Sequence, residues 1–410
     1  MARMPVGLLV SAVCVSQILA QIGAFSVPAL LPALMADWSL SNTDAGWVTG
    51  IFYAGYAVSV PVLVSLTDRV DPKRIYLLGV GLITLSTAGF AWFADDFYTA
   101  CVFRALWGIG WAGTYMPGLK ALSDIVEGPQ QSRAVSAHAA SVGVSGALSF
   151  LIAETIGSAY GWQWGIGAGA VGSGLAFLIA LFVLPRRKPR DRGDNPGRLL
   201  DFRPVLRNTS ALAYSIGYLV HTWEMSALRS WVVTFLTFAA LHGGSGAGPI
   251  TPAMIAMCLG LVGTATSVMG NEAARRFGRA RYITFIMLLS ILAAGGVGFS
   301  SGGSYGLAAA ACLIYAGLIW ADSSSLTAGT VGSADPARRG ATMAVHSTLG
   351  YFGGFLGPLV LGLVLDLYGE QSPQAWGIAF MHLSVVVLVG LIILRVLKPT
   401  DLAGDRARAR

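Results

Sequence analysis

Charge is scarce in this chain: only 11% of its 410 residues are Asp, Glu, Lys or Arg, 20 acids against 27 bases. Soluble domains carry about a quarter of their residues as charges, so the composition excludes a water-solvated globule. Cysteine is scarcer still. The 4 thiols, Cys14, Cys101, Cys258 and Cys312, all fall within apolar runs, where a thiol packs as a small apolar group; a disulfide framework and a zinc site are excluded. No Gly-x-x-x-x-Gly-Lys-Ser/Thr occurs, so direct ATP coupling is not expected. Neither His-Glu-x-x-His nor a nucleophile beside its base is visible, so the chain reads as no enzyme, with no metal and no cofactor. The net charge of +7 does not indicate nucleic acid, because the bases sit in short spacers between apolar runs rather than on one face of a soluble domain.

What is present is apolar: 55% hydrophobic residues and 52 glycines. A hydrocarbon core about 30 Å thick takes about 20 residues of helix, and lipid offers no partner to an open backbone group, so long apolar runs read as spanning helices. The runs are 6–34, 45–66, 74–94, 98–121, 134–158, 162–184, 209–240, 251–271, 281–300, 304–328, 340–366 and 375–397. The first is too long for a signal-peptide core and reads as span one. Lys and Arg follow the even spans: Arg69, Lys73 and Arg74, then Lys120 and Arg133, Arg186 to Arg207, Arg275 to Arg281, Arg338 and Arg339, and Lys398 to Arg410. Loops after odd spans carry only acids such as Asp37, Asp44, Asp95, Asp96 and Glu370. This asymmetry predicts both termini in the cytoplasm, and the chain reads as integral to a bacterial inner membrane, surrounded by lipid. Only Arg104 and Arg229 escape this one-sided placement, and both lie within apolar spans.

The one long polar stretch, Pro185 to Asn208, follows span six and reads as a cytoplasmic linker. It predicts a first six-helix bundle over 1–184, the linker over 185–208, a second bundle over 209–397 and a tail over 398–410. The flanking sequence repeats. A shift of 208 superposes His138 on His346, Gly146 on Gly354 and Tyr160-Gly161 on Tyr368-Gly369, and a shift of 207 superposes Arg69 on Arg276 and Gly110 on Gly317. Two related bundles of an all-α membrane protein are expected.

The loop Ser65-Leu-Thr-Asp-Arg-Val-Asp-Pro-Lys-Arg74 resembles the Gly-x-x-x-Asp-Arg-x-Gly-Arg-Arg signature of the major facilitator superfamily. Asp68, Arg69, Lys73 and Arg74 match in kind, whereas Ser65, Asp71 and Pro72 depart. A degenerate copy, Arg275-Arg-Phe-Gly-Arg-Ala-Arg281, lies in the equivalent second-half loop. Arg104-Ala-Leu-Trp-Gly-Ile-Gly-Trp-Ala112 on span four resembles the superfamily's Arg-x-x-Gln-Gly-x-Gly-x-Ala motif, with Trp107 in place of Gln. The resemblance covers essentially the whole chain. It implies the MFS fold, twelve transmembrane helices in two pseudo-symmetric bundles, and alternating access. It also implies that Asp68, Arg69, Lys73 and Arg74 act as a gating loop, pairing with helix ends in one state and releasing them in the other.

An ionisable side chain in a bilayer costs about 2.5–3.5 kcal/mol on insertion scales and marks a partner or a wet cavity. Candidates for a substrate and proton pathway are Arg104, Glu224, Arg229, His138, Asp322 and His346, with Gln17 and Gln21 on span one and Trp111 and Tyr115 sharing the Arg104 stripe of span four. Glu154 lies at the depth of Arg104 and could pair with it; Asp322 and His346 lie at similar depth and are expected to be close. Glu224 and Arg229 cannot both face one cavity on an unbroken helix. The stretch Gly350 to Pro358 reads as a close helix-packing surface.

The leading expectation is a secondary active transporter, monomeric and proton-coupled, acting as a symporter for a small solute, with an organic anion anchored by the two intramembrane arginines favoured as that solute. Two alternatives stand beside it. One is proton-coupled efflux of amphipathic drugs over an aromatic surface; the Gly-x-x-x-Gly-Pro motif usual in such antiporters on span five is found here only on span eleven, as Gly353 to Pro358. The other is a non-transporting membrane sensor.

Overall fold

A computed structural model describes residues 5–67, 69–123, 126, 129–186, 202–243, 246–369, 371–402 and 405. The linker from 187 to 201, Asp68 and Glu370 lie outside the described residues. All regular structure described is helical, as expected where backbone groups must bond within their own segment. Span one is divided into α1 (Val6–Gln21), α2 (Ser26–Ala29) and α3 (Leu31–Trp38). Spans two and three are α4 (Asn42–Leu66) and α5 (Pro72–Phe93). Span four is α6 (Phe97–Ala112) and α7 (Tyr115–Ser123), span five α8 (Pro129–Tyr160) and span six α9 (Trp162–Val183). After the short α10 (Arg203–Leu206), spans seven to nine are α11 (Thr209–His242), α12 (Pro252–Phe277) and α13 (Arg279–Phe299). Span ten is α14 (Tyr305–Ala321) and α15 (Ser323–Ser333), and spans eleven and twelve are α16 (Arg339–Tyr368) and α17 (Pro373–Leu397).

Among the described residues, nine helical stretches are long and apolar enough to cross a membrane. The spans outside that set are one, four and seven. Spans one and four are interrupted, and span seven is long but carries His221, Glu224 and Arg229. Span ten passes by length but breaks at Asp322. Every third span is therefore broken or polar, and these are the spans on which the ionisable candidates concentrate.

The chain divides into two compact units, 1–38 with 51–197, and 39–50 with 198–410. Each is built alike. In the first unit α5 packs on α9 and on α6, and α1 on α8; in the second α13 packs on α17 and on α14, and α11 on α16. The first turn of α4 counts with the second unit, where the Asp366 carboxylate accepts from the Asn42 and Thr43 amides at 3.0 and 2.7 Å. A carboxylate there satisfies donors that every helix start leaves open.

Glycine sets the closest packing. A methyl group on Gly353 would collide with the Leu219 carbonyl, and one on Gly357 with the Trp223 carbonyl, so the packing surface read from Gly350 to Pro358 lies against span seven. Gly353→Val is expected to lower stability by about 1–3 kcal/mol, as overpacking does. Gly296→Ala, at a position with nothing within 4 Å, is expected to cost nothing. Melting curves in detergent compare the two; equal behaviour would remove the packing argument.

Candidate functional site

In the first unit the break in span one is held from outside. The Phe25 amide, left open where α1 stops, donates to Ser149 Oγ of span five at 2.9 Å, and Gly23 sits against Gly169 of span six. Gln17 and Gln21 lie fully inside this packing. Tyr76 OH reaches Gln17 Oε1 at 3.4 Å and Ser16 Oγ at 3.1 Å, whereas the Nε2 groups of Gln17 and Gln21 have no hydrogen-bond partner among the described residues. Buried amide donors in this state suit a ligand or water that brings acceptors.

Arg104 is 3% exposed. Its guanidinium lies 4.3 Å over the Phe52 ring and 5.8 Å from the Trp107 ring, a cation–π arrangement strengthened by burial. Phe52, Tyr53, Trp107 and Trp111 continue as one aromatic cluster. A small cavity beside Arg104 is lined by Ser26, Ser86, Thr87 and Trp107. The third candidate of the unit, His138, is fully buried and stacks on Tyr115 at 5.6 Å. Neither ring nitrogen has a hydrogen-bond partner among the described residues.

In the second unit α11 is unbroken for 34 residues, and its polar side chains diverge. Glu224 Oε1 accepts from Ser290 Oγ of span nine at 2.5 Å and from Tyr315 OH of span ten at 2.7 Å. The carboxylate is 4% exposed and faces these two spans. Arg229, half-buried, places its guanidinium 4.7 Å over the Trp320 ring. One turn before Glu224, His221 Nδ1 lies 3.0 Å from the Ile319 carbonyl and 3.0 Å from Asp322 Oδ1. Asp322, expected near His346, has His221 as its ion-pair partner. Asp322 occupies the junction of α14 and α15, which turns it toward span seven. His346 is held instead by two threonines of α15, Thr330 at 3.0 Å and Thr327 at 3.3 Å, and stacks on Tyr218 at 4.1 Å. Sequence reasoning missed Ser290, Tyr315 and these threonines. Their only signal was a hydroxyl in an apolar run, which is common and has no fixed register to Glu224.

The loop after span two has its own local logic. Asp71 accepts from the Lys73 amide at 3.0 Å and Pro72 opens α5, so the two departures from the signature form an N-cap followed by proline at the first helical position. Arg69 and Arg74 are exposed. Lys73 is buried, and its ammonium donates to the carbonyls of Leu181, at 2.7 Å, and Leu184. A cation on open carbonyls at the end of α9 complements the helix dipole. Lys73→Met is expected to lower stability by about 1.5–3 kcal/mol, the range for hydrogen bonds to charged groups. Lys73→Arg should lose less. An unchanged melting temperature for the methionine variant would refute the role.

Two repeated helical units, with carboxylate, imidazole and guanidinium groups buried on broken or polar spans, define an integral membrane protein with the architecture of a transporter. Residues 13–358 match the family model of the Major Facilitator Superfamily, and the chain belongs to that family. Protein spinster homolog 3 of Danio rerio is 25% identical over 244 residues, 57% of this chain and 49% of the relative. The probable sphingolipid transporter spinster homolog 1 of Arabidopsis thaliana is 19% identical over 165 residues, 40% of this chain and 33% of the relative. The chain spans about half the length of the curated relatives it matches. Among solved structures, a bacterial homolog of the human lysosomal transporter Spinster, inward-facing and occupied, aligns with a TM-score of 0.75 at 17% identity, covering 98% of this chain and 99% of the other. The human organic anion transporter MFSD10 aligns with a TM-score of 0.67 at 18% identity, covering 96% and 100%. At these identities the structural likeness is one of fold.

Proposed function

We propose that the protein is a proton-coupled secondary transporter that moves a small organic anion by alternating access. Glu224 carries the proton, and Arg104 anchors the anion. The observation that carries the reading is the Glu224 carboxylate, buried mid-span and held by two hydroxyls, with no cation at ion-pair distance among the described residues. Charge on such a group is expensive in a low-dielectric setting, and a proton removes it. His221 and Asp322, one turn away, offer a relay toward the end of the unit that carries the basic loops. The remaining expectations belong to this proposal: a monomer in a bacterial inner membrane, termini in the cytoplasm, bundles over 1–184 and 209–397 joined by the linker 185–208, an Arg104–Glu154 pair, and a gating role for Asp68, Arg69, Lys73 and Arg74.

A second reading, an amphipathic solute, is supported by the Phe52, Tyr53, Trp107 and Trp111 cluster, which offers apolar area beside a cation. A fold neighbour that is an organic anion transporter and a sequence relative that is a probable sphingolipid transporter span the same two chemistries. A thermal-shift panel of mono- and dicarboxylates, cationic dyes and lysosphingolipids separates them, since a ligand at 100 times its Kd stabilises by about 2.7 kcal/mol. Stabilisation by dyes and lysolipids alone would overturn the anion reading. Asp322→Asn is expected to slow proton-driven uptake while leaving the protein folded, and normal uptake by this variant would remove the relay.

A further inference from the structure

The segment that follows span twelve folds back onto the second unit. Lys398 ends α17 in the left-handed conformation, φ 46°. The Thr400 carbonyl accepts from Tyr214 OH at 3.0 Å, and the Thr400 amide donates to Ser210 Oγ at 3.1 Å, both on α11. Asp401 Oδ1 accepts from the Ala280 amide at 3.1 Å, giving the start of α13 a side-chain cap that its N-cap residue, Gly278, does not supply. The Leu402 side chain fills the space left open by Gly332 of α15.

Asp405 completes the attachment. It pairs with Arg279, both residues at most 3% exposed, through Nε to Oδ2 at 2.9 Å and Nη2 to Oδ1 at 2.8 Å. This two-pronged geometry is the strong form of the interaction. The third nitrogen of Arg279, Nη1, donates to Asn271 Oδ1 of α12 at 3.0 Å and to the Ser325 carbonyl of α15 at 2.9 Å. Ser325 stands three residues beyond Asp322, at the break of span ten, and the Leu326 amide donates to the Asp322 carbonyl at 2.9 Å. The path from Asp405 to the break thus runs through one arginine. In the first unit the corresponding cation, Lys73, meets helix-end carbonyls; in the second the anion is carried past the helix end. The segment also lies beyond the residues that match the family model.

We infer that Thr400, Asp401, Leu402 and Asp405 form a carboxylate-bearing clasp that fixes α15, and with it Asp322, from outside the bundle. The clasp is a conformational control element of the second unit. Arg279 and Asp405 act as positioning residues: neither approaches Glu224, and both act through the lower half of span ten. The inference concerns the placement of α15 and stands whether or not Glu224 carries a proton.

Hydrogen–deuterium exchange on the full chain in lipid nanodiscs tests it. Asp405→Asn is expected to speed exchange across Ser323–Ser333 by about tenfold or more, as expected where local opening sets the rate, with α5 and α9 of the first unit unchanged. Arg279→Lys, which keeps the charge and loses the fork, should act in the same direction with a smaller size. Wild-type exchange across α15 in Asp405→Asn would overturn the clasp, even if residues 398–402 exchanged faster. Should that variant fail to insert, Leu402→Ala loosens the same segment at Gly332 without touching a charge. It is expected to accelerate α15 as well, and an unaltered α15 there would equally overturn the inference.

Discussion

Glu224→Gln is expected to abolish proton-driven uptake in proteoliposomes while leaving the protein inserted and folded. Glutamine keeps the shape of the side chain and an oxygen that can still accept from Ser290 and Tyr315, so packing is preserved. What it loses is the ability to take up and release a proton. The loss should be on the order of 100-fold, equivalent to about 2.7 kcal/mol. Exchange of solute against solute, which needs no net proton movement, should survive. Ser290→Ala and Tyr315→Phe each remove one of two donors and should weaken uptake by less, because the second hydroxyl still holds Oε1. Wild-type uptake by Glu224→Gln would move the proton elsewhere and leave the carboxylate a packing group.

Much of this arrangement is legible in the amino-acid order. Hydropathy alone places the crossings, because lipid imposes a length and forbids open backbone; the run at 209–240 and the helix Thr209–His242 differ by two residues at one end. The breaks are harder to read. Span one reads as a single run from 6 to 34, yet its helix stops at Gln21, and the amide this frees is met by Ser149, 124 positions away. No local signal announces a partner at that distance, although Gly23 and Pro28 mark where a break is possible. The same limit governs the site. Buried charge is visible as a letter in an apolar run, so Arg104 and Glu224 stand out. Whether Asp322 meets His221 or His346 depends on helix rotation about a junction that depth alone cannot fix. Arg279 is the plainest case. In sequence it is one of four arginines after span eight, and only the fold-back of the chain after Lys398 makes it a buried fork on Asp405.

Arg104→Ala is the second change expected to have a large effect, and its two consequences should separate. Removing the guanidinium forfeits its contact with Phe52, worth about 0.5–2 kcal/mol. It also removes a charge that costs about 2.5–3.5 kcal/mol to keep in a bilayer. The two terms oppose and the second is the larger, so the variant should stay folded while uptake of an anionic solute is lost. Arg104→Lys restores the charge without the planar fork, and partial uptake is expected. If the role of Arg104 is only to pair with Glu154, the double variant Arg104→Glu with Glu154→Arg should recover wild-type uptake, because a structural pair is indifferent to its direction. If the guanidinium anchors the solute, reversal places a carboxylate over Phe52 beside Ser26, Ser86 and Thr87. An anion would then be repelled, and the double variant would stay as inactive as Arg104→Ala.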